Sequence, residues 1–289
     1  MGASPTCSTN AMKRSASMAR PGGRPSSGSV RSCSIFVALI ALWAGGADAR
    51  PQRIVSMNPC VDAVLLAVAD PGQIAAISHW SHDPAGTSAP LAEARRFPAH
   101  GGTAEEVIVR RPDLLFVSPY TPMATREAFR RLGFPMVSVG VPATIADSLA
   151  QVRVIADAAG QPARGEALIR RIETALTEAH RAEARPALMR MASGLVPGPG
   201  SLSEALMANS GLTSVAADYG FAHAGLLTVE PLALKPPPLL ITDRPEAVPP
   251  VLKRQRVPVA GFDRQLLNCG GPSLIPAAKR LAAIRDAVP

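Results

Sequence analysis

Aromatic side chains are scarce in this 289-residue sequence, with two Trp, two Tyr and seven Phe, and there are only four cysteines. Beyond residue 50 no apolar stretch approaches 18 residues, which excludes a membrane-spanning helix in that part of the chain. There is no G-x-x-x-x-G-K-S/T loop, so the chain does not itself carry a nucleotide-hydrolysing phosphate loop. There is no G-x-S-x-G elbow, and Cys60 forms no recognisable pair with a histidine, which argues against a hydrolase. No His-rich loop is present. A dedicated zinc or manganese carrier needs three or four convergent ligands, and His79, His82 and Asp83 are only a start toward one. Five of the 30 basic residues and one of the 22 acids precede residue 50, leaving a net charge of +4 on the rest. Those remaining arginines are scattered, unlike the clustered basic face of a nucleic-acid binder.

What is present begins with a leader. Residues 1–30 are rich in Ser, Gly, Pro and Arg, contain no acid, and cannot bury enough apolar surface to fold. The short apolar run from Ile35 to Ala44 and the small-x-small end Ala47-Asp48-Ala49 complete the pattern of a secretory signal peptide. Cleavage after Ala49 is expected, leaving residues 50–289 as an exported chain. Cys7 and Cys33 leave with the leader. Cys60 and Cys269 remain, an even count that permits a disulfide in an oxidising compartment.

From residue 53 onward, short apolar runs alternate with helical patterns. Strands are predicted at 53–56, 74–77, 114–117 and 135–139, with Ser78–Pro98 as loop. Asn58 before Pro59 predicts a capped helix start, and Thr103 with Glu106 has capping-box spacing. A long charged helix is expected over Ala163–Ala184, ended by Pro186, after which a second alternating unit begins. The fold class is therefore α/β, with two lobes built on mostly parallel sheets and joined by one long helix. The divisions expected are leader 1–49, first lobe 50–160, connecting helix 161–186 and second lobe 187–289.

The halves echo one another. Thr103-Ala104-Glu105 leads through Arg111-Pro112-Asp113 into Leu114-Leu115-Phe116, and Thr228-Val229-Glu230 leads through Lys235-Pro236-Pro237 into Leu239-Leu240-Ile241. Two similar lobes enclose a cleft, and in such sheets a ligand sits at the carboxyl ends of the strands.

The segments RIVSMNPCVDAVLLAVADPGQIAAIS, GGTAEEVIVRRPDLLFV, LGFPMVSVG and NCGGPSLIPAAKRLAAIRD, taken in this order, resemble the iron-chelate and vitamin B12 class of ABC-transporter substrate-binding proteins over residues 52–286. The resemblance implies a two-lobe binder, not an enzyme, that captures cobalamin, a ferric siderophore, haem or a related chelate. It implies delivery to a membrane permease with a separate ATPase, with Glu105 and Glu230 as the docking carboxylates, one per lobe. Helix-start stabilisation is the alternative role for both acids. The chain is expected to act as a monomer without a cofactor of its own.

Cleft candidates follow from the loops after strand ends. These loops carry Asn58, Cys60, Tyr120, Arg264, Asn268 and Cys269, and the resemblance implies ligand contact for the segments of Asn58 and Cys60 and of Arg264, Asn268 and Cys269. For the cysteines a cross-cleft disulfide, a pair of metal-ligating thiols and two small buried side chains all stand open. Trp80 can stack on a flat macrocycle, and His79 or His82 can ligate its metal, the alternative being an ordinary surface loop. Arg264, then Arg95 and Arg96, are the available cations, too few for a strongly anionic siderophore. That favours a corrinoid or another weakly charged macrocycle. The Gly-Pro run Gly194–Gly200 is expected to form a flexible cleft edge. His100, His180 and His223 are dispersed and carry no assigned role.

Overall fold

The central strands of this protein are short and apolar because both of their faces are covered. The computed structural model describes residues 50–288, so the expected leader lies outside the described residues. In β1 (Ile54–Ser56), Ile54 faces an inner cluster and Val55 an outer one, and both are fully buried. Strands buried on both faces read as continuous apolar runs rather than alternating ones.

The first sheet is entirely parallel. It comprises β1, β2 (Ile74–Ser78), β3 (Ala99–His100), β4 (Leu114–Val117) and β5 (Met136–Ser138), in the order β3-β2-β1-β4-β5. Its helices are α1 (Pro59–Val68), α2 (Leu91–Ala94), α3 (Ala104–Ile108), α4 (Met123–Arg131) and α5 (Ile145–Ala158). The segment expected as loop between β2 and β3 contains α2 and a 3-10 turn, His79–His82.

Helix α6 (Pro162–Ala179) follows and lies between α5 and the C-terminal helix. Leu168, Ile169, Ile172, Ala175 and Leu176 form its buried stripe at helical spacing. Gly165 permits the close crossing of α5, since a Cβ there would stand 2.4 Å from the Ala156 Cβ. The helix ends five residues earlier than expected. His180 is already extended, and Arg181 donates its amide to the Asn209 carbonyl, which draws the chain toward the next strand. Pro186 sits inside that strand, β6 (Arg185–Met189), near its start, where its missing donor is tolerated.

The second lobe holds β6, β7 (Leu195–Val196), α7 (Leu202–Asn209), β8 (Leu212–Ser214), β9 (Gly225–Leu226), α8 (Val229–Leu234), β10 (Leu240–Thr242), α9 (Pro250–Arg254), β11 (Val259–Gly261) and α10 (Leu274–Ala287). Its four-stranded parallel sheet has the order β11-β10-β6-β8. This repeats the first sheet, with β6, β8, β10 and β11 in the places of β1, β2, β4 and β5. The sequence echo thus corresponds to a structural one. The Gly194–Gly200 edge is more ordered than expected, because β7 pairs antiparallel with β9.

Candidate functional site

In the first sheet the strand order reverses between β1 and β4, so the loops after those strands diverge and leave a crevice. A cavity of about 550 Å³ opens there. The loop after β1 supplies Asn58 and Cys60, and the segment after β2 supplies Trp80, Asp83 and Gly86. The loop after β4 supplies Ser118 and Tyr120, and that after β5 supplies Val139 to Val141. Arg264 and Asn268 come from the segment that follows β11, so both halves of the sequence meet at this cavity.

Local chemistry fixes these side chains. Asn58 caps α1 by accepting the Cys60 amide at 2.9 Å, and its amide group donates to the Val139 carbonyl at 3.3 Å, tying two cavity loops together. Asn58→Ala is expected to cost about 1–2 kcal/mol through the lost cap and lost tie, read from urea denaturation. An unchanged midpoint would show that neither bond contributes.

Cys60 and Cys269 form a disulfide with their Cα atoms 5.1 Å apart. This removes the free-thiol readings, both metal ligation and two separate small side chains. Cys60 lines the cavity wall, whereas Cys269 is buried behind it.

Trp80 is 52 % exposed and Tyr120 79 % exposed, so two large rings stand open at the cavity. Arg264 is the cation among the lining residues and Asp83 the acid. His79 and His82 do not line the cavity. Their rings lie 3.2 Å from the His100 carbonyl and 3.1 Å from the Ala94 carbonyl, which stitches the 3-10 turn to its neighbours. Arg95 and Arg96 are also outside the lining. Among the described residues no three His, Cys, Asp or Glu side chains converge as a metal-ion site.

Beneath the Trp80 turn lies a buried acid. Asp62 on α1 is fully buried, and its Oδ2 accepts the Ser78 amide at 3.0 Å and the Ser81 hydroxyl at 2.7 Å. Its Oδ1 has no hydrogen-bond partner. Burial pushes the carboxyl up to about 7, partly offset by the serines around it. His100 is buried beside the same strands. Its Nε2 lies 2.9 Å from the Ser56 carbonyl and its Nδ1 accepts the Gly102 amide, the pattern of a neutral ring. Burial lowers its pKa accordingly.

The Val139–Val141 loop lines the cavity without having been expected there, while Asp62 and His100 are buried and do not line it. Asp62 lies on the buried face of α1 at a position that sequence treats as ordinary helix. The loop after β5 was accessible to the strand-end rule, because the strand itself was legible.

Glu105 and Glu230 are exposed, each in the first turn of a short helix, α3 and α8 respectively. The Glu230 carboxylate is held below its usual range by the Thr228 hydroxyl and by the amides of Glu230 and Val229. Among the described residues no helix is long and apolar enough to cross a membrane.

Comparison with known proteins places this geometry in context. A search of curated proteins gives no match. Among solved structures, the periplasmic vitamin B12-binding protein BtuF of Vibrio cholerae aligns at 14 % identity and a TM-score of 0.65, covering 83 % of this chain and 98 % of that one. The periplasmic haem-binding protein HutB of the same organism aligns at 16 % and 0.67, covering 81 % and 98 %. The periplasmic haem-binding protein RhuT of Roseiflexus sp. RS-1 aligns at 19 % and 0.66, covering 80 % and 98 %. At these identities the likeness establishes the fold. The family model for periplasmic binding proteins matches residues 54–255, well over half the sequence, and the chain belongs to that family.

Proposed function

We propose that this protein is the exported, periplasmic binding component of an ABC importer and that it captures one flat, weakly charged metal chelate, a corrinoid before a haem or a ferric siderophore. The observation that carries this reading is the cavity of about 550 Å³ with two exposed aromatic rings and a single lining cation. That volume lies within the range of small-molecule sites. Rings stack on a macrocycle face, while one arginine suffices for a single anionic or amide edge. The names of the structural relatives, vitamin B12-binding and haem-binding, agree with a chelate. Delivery would follow by docking on a permease served by its own ATPase, with Glu105 and Glu230 as the contact carboxylates.

Trp80 is the one tryptophan after residue 49, so its fluorescence reports directly on the cavity. Titration with cobalamin, haem and ferric siderophores should quench it, saturating at one equivalent for a single chelate. Arg264→Ala should then weaken that chelate by about tenfold, the size of one charge-assisted hydrogen bond. Folded protein that answers to no chelate would sink this reading.

The docking role predicts a separate effect. Glu105→Lys combined with Glu230→Lys should leave chelate affinity within about twofold, while transport in cells falls by about tenfold or more, because the charges orient the partner and do not touch the ligand. Transport at the level of the unaltered protein would remove these glutamates from the interface.

A further inference from the structure

The segment Arg264–Ser273 follows β11 and belongs to the second lobe by sequence, yet its bonds run to the first. Gln265 donates its side-chain amide to the Pro84 carbonyl, and Asn268 donates to the Ala85 carbonyl at 3.0 Å. The Ser88 hydroxyl donates back to the Gln265 carbonyl at 2.6 Å. The Gly271 amide donates to the Ser148 hydroxyl on α5 at 2.7 Å. Gly271 has a φ of +67°, and a Cβ there would stand 2.9 Å from Val64 on α1, so the segment lies directly against that helix. The Cys60–Cys269 disulfide closes the connection covalently.

Behind this strap lies a second cavity of about 400 Å³, lined by Ala63, Leu66, Leu168 and Ile275 and by the strap residues Gln265 and Leu266. The cavity undercuts the strap at Gln265 and Leu266, whereas Cys269, Gly271 and Ser273 are buried against the first lobe. The head of the strap, residues 264–268, is its less buried part, and there the specific ties add most to what holds it. Arg264, at the head of the strap, is exposed and has no ion-pair partner among the described residues, so its placement over the first cavity depends on those ties as well.

We propose that Cys269, Gln265 and Asn268 are positioning residues for Arg264: through the disulfide and the 83–88 loop they make the strap part of the first lobe, so that the ligand site is assembled before any movement of the second lobe. Preorganisation of this kind raises affinity by removing the ordering cost at the moment of binding. The inference rests on the first cavity being the ligand site, and its test has one arm that needs no ligand.

In that arm, amide hydrogen exchange is followed in the oxidised protein and after reduction with dithiothreitol, with circular dichroism confirming that the fold persists. Exchange in 264–273 and 83–88 should rise about tenfold or more on reduction and by more than in 240–242 of the second sheet, which reports the global loss of stability. Gln265→Ala, which keeps the disulfide, should move the same two segments in the same direction. It carries the test alone if the reduced protein unfolds. Unchanged exchange in 264–273, or an equal rise in 240–242, would overturn the proposal.

In the ligand arm, reduction should weaken the chelate bound by the oxidised protein by about tenfold, and Arg264→Ala should add little to that loss. Full additivity would show that the strap does not act through Arg264. If the oxidised protein binds no chelate, the proposed function fails, and the exchange arm still decides whether the strap belongs to the first lobe.

Discussion

Replacing Cys60 and Cys269 together by alanine is expected to lower the free energy of unfolding by about 5 kcal/mol. The two cysteines are 209 residues apart, so the disulfide closes most of the chain after residue 50 into one loop. On the chain-entropy account, cross-linking a loop of that length removes about 5 kcal/mol of conformational freedom from the unfolded state. Alanine is the right replacement, because a serine at buried position 269 would add an unsatisfied hydroxyl. Urea denaturation of the variant and of the oxidised protein, at one pH and temperature, gives the difference. The protein in dithiothreitol should match the variant. Since a domain of this size is stable by about 5–15 kcal/mol in all, the variant is left marginal. A loss below about 1 kcal/mol would mean either that the disulfide does not persist in the native protein or that the unfolded chain keeps the two segments together without it.

Asp62→Asn should have an effect almost as large, in the opposite direction and growing with pH. With its folded pKa raised to about 7, Asp62 keeps its proton in the native state across a range where the unfolded chain has lost it. The stability attached to that proton is fully present below the unfolded pKa near 4. It is lost as pH rises through 7. Asparagine offers the same acceptor to the Ser78 amide and the Ser81 hydroxyl and never ionises. The variant should therefore match the unaltered protein near pH 3, exceed it by about 1 kcal/mol at pH 5 and by on the order of 4 kcal/mol at pH 8. His100 acts in the other direction. Its lowered pKa means that stability is lost as pH falls below about 6.5, but this contribution is common to both proteins and cancels in the comparison. Parallel stability curves for the two proteins would show that Asp62 is ionised in the native state throughout.

Much of the fold was legible because strands of three to five residues covered on both faces are continuous apolar runs, and because the caps are local. Asn58-Pro59 and Thr103 with Glu106 announce helix starts that the structure keeps. The end of α6 was not legible. It is set by Asn209, about thirty residues away, which takes the Arg181 amide and turns the chain. The paired edge β7–β9 was missed for a similar reason, since strands of two residues carry no periodicity. At the site, strand-end reasoning located Asn58, Trp80, Tyr120, Arg264 and Asn268 around one cavity. It could not separate His79 and His82 from that set, because backbone carbonyls on β3 and α2 decide where those rings lie. Nor could it choose among the fates of Cys60 and Cys269, which turn on a Cα separation that only the folded chain has.

The cluster that begins at Ile54 runs through Val152, Leu168 and Ile172 and closes on Leu274, Leu281 and Ile284. In kinetic terms its oldest and youngest parts are separated by almost the whole chain. A chain emerging from its N-terminus can pair β1 with β2 and β4 early. The faces of α5 and α6 that receive α10 and the 264–273 segment stay bare until the last residues arrive. Contacts this distant in sequence slow the final folding step. They also leave those two helix faces open to unintended partners until the C-terminal helix is in place.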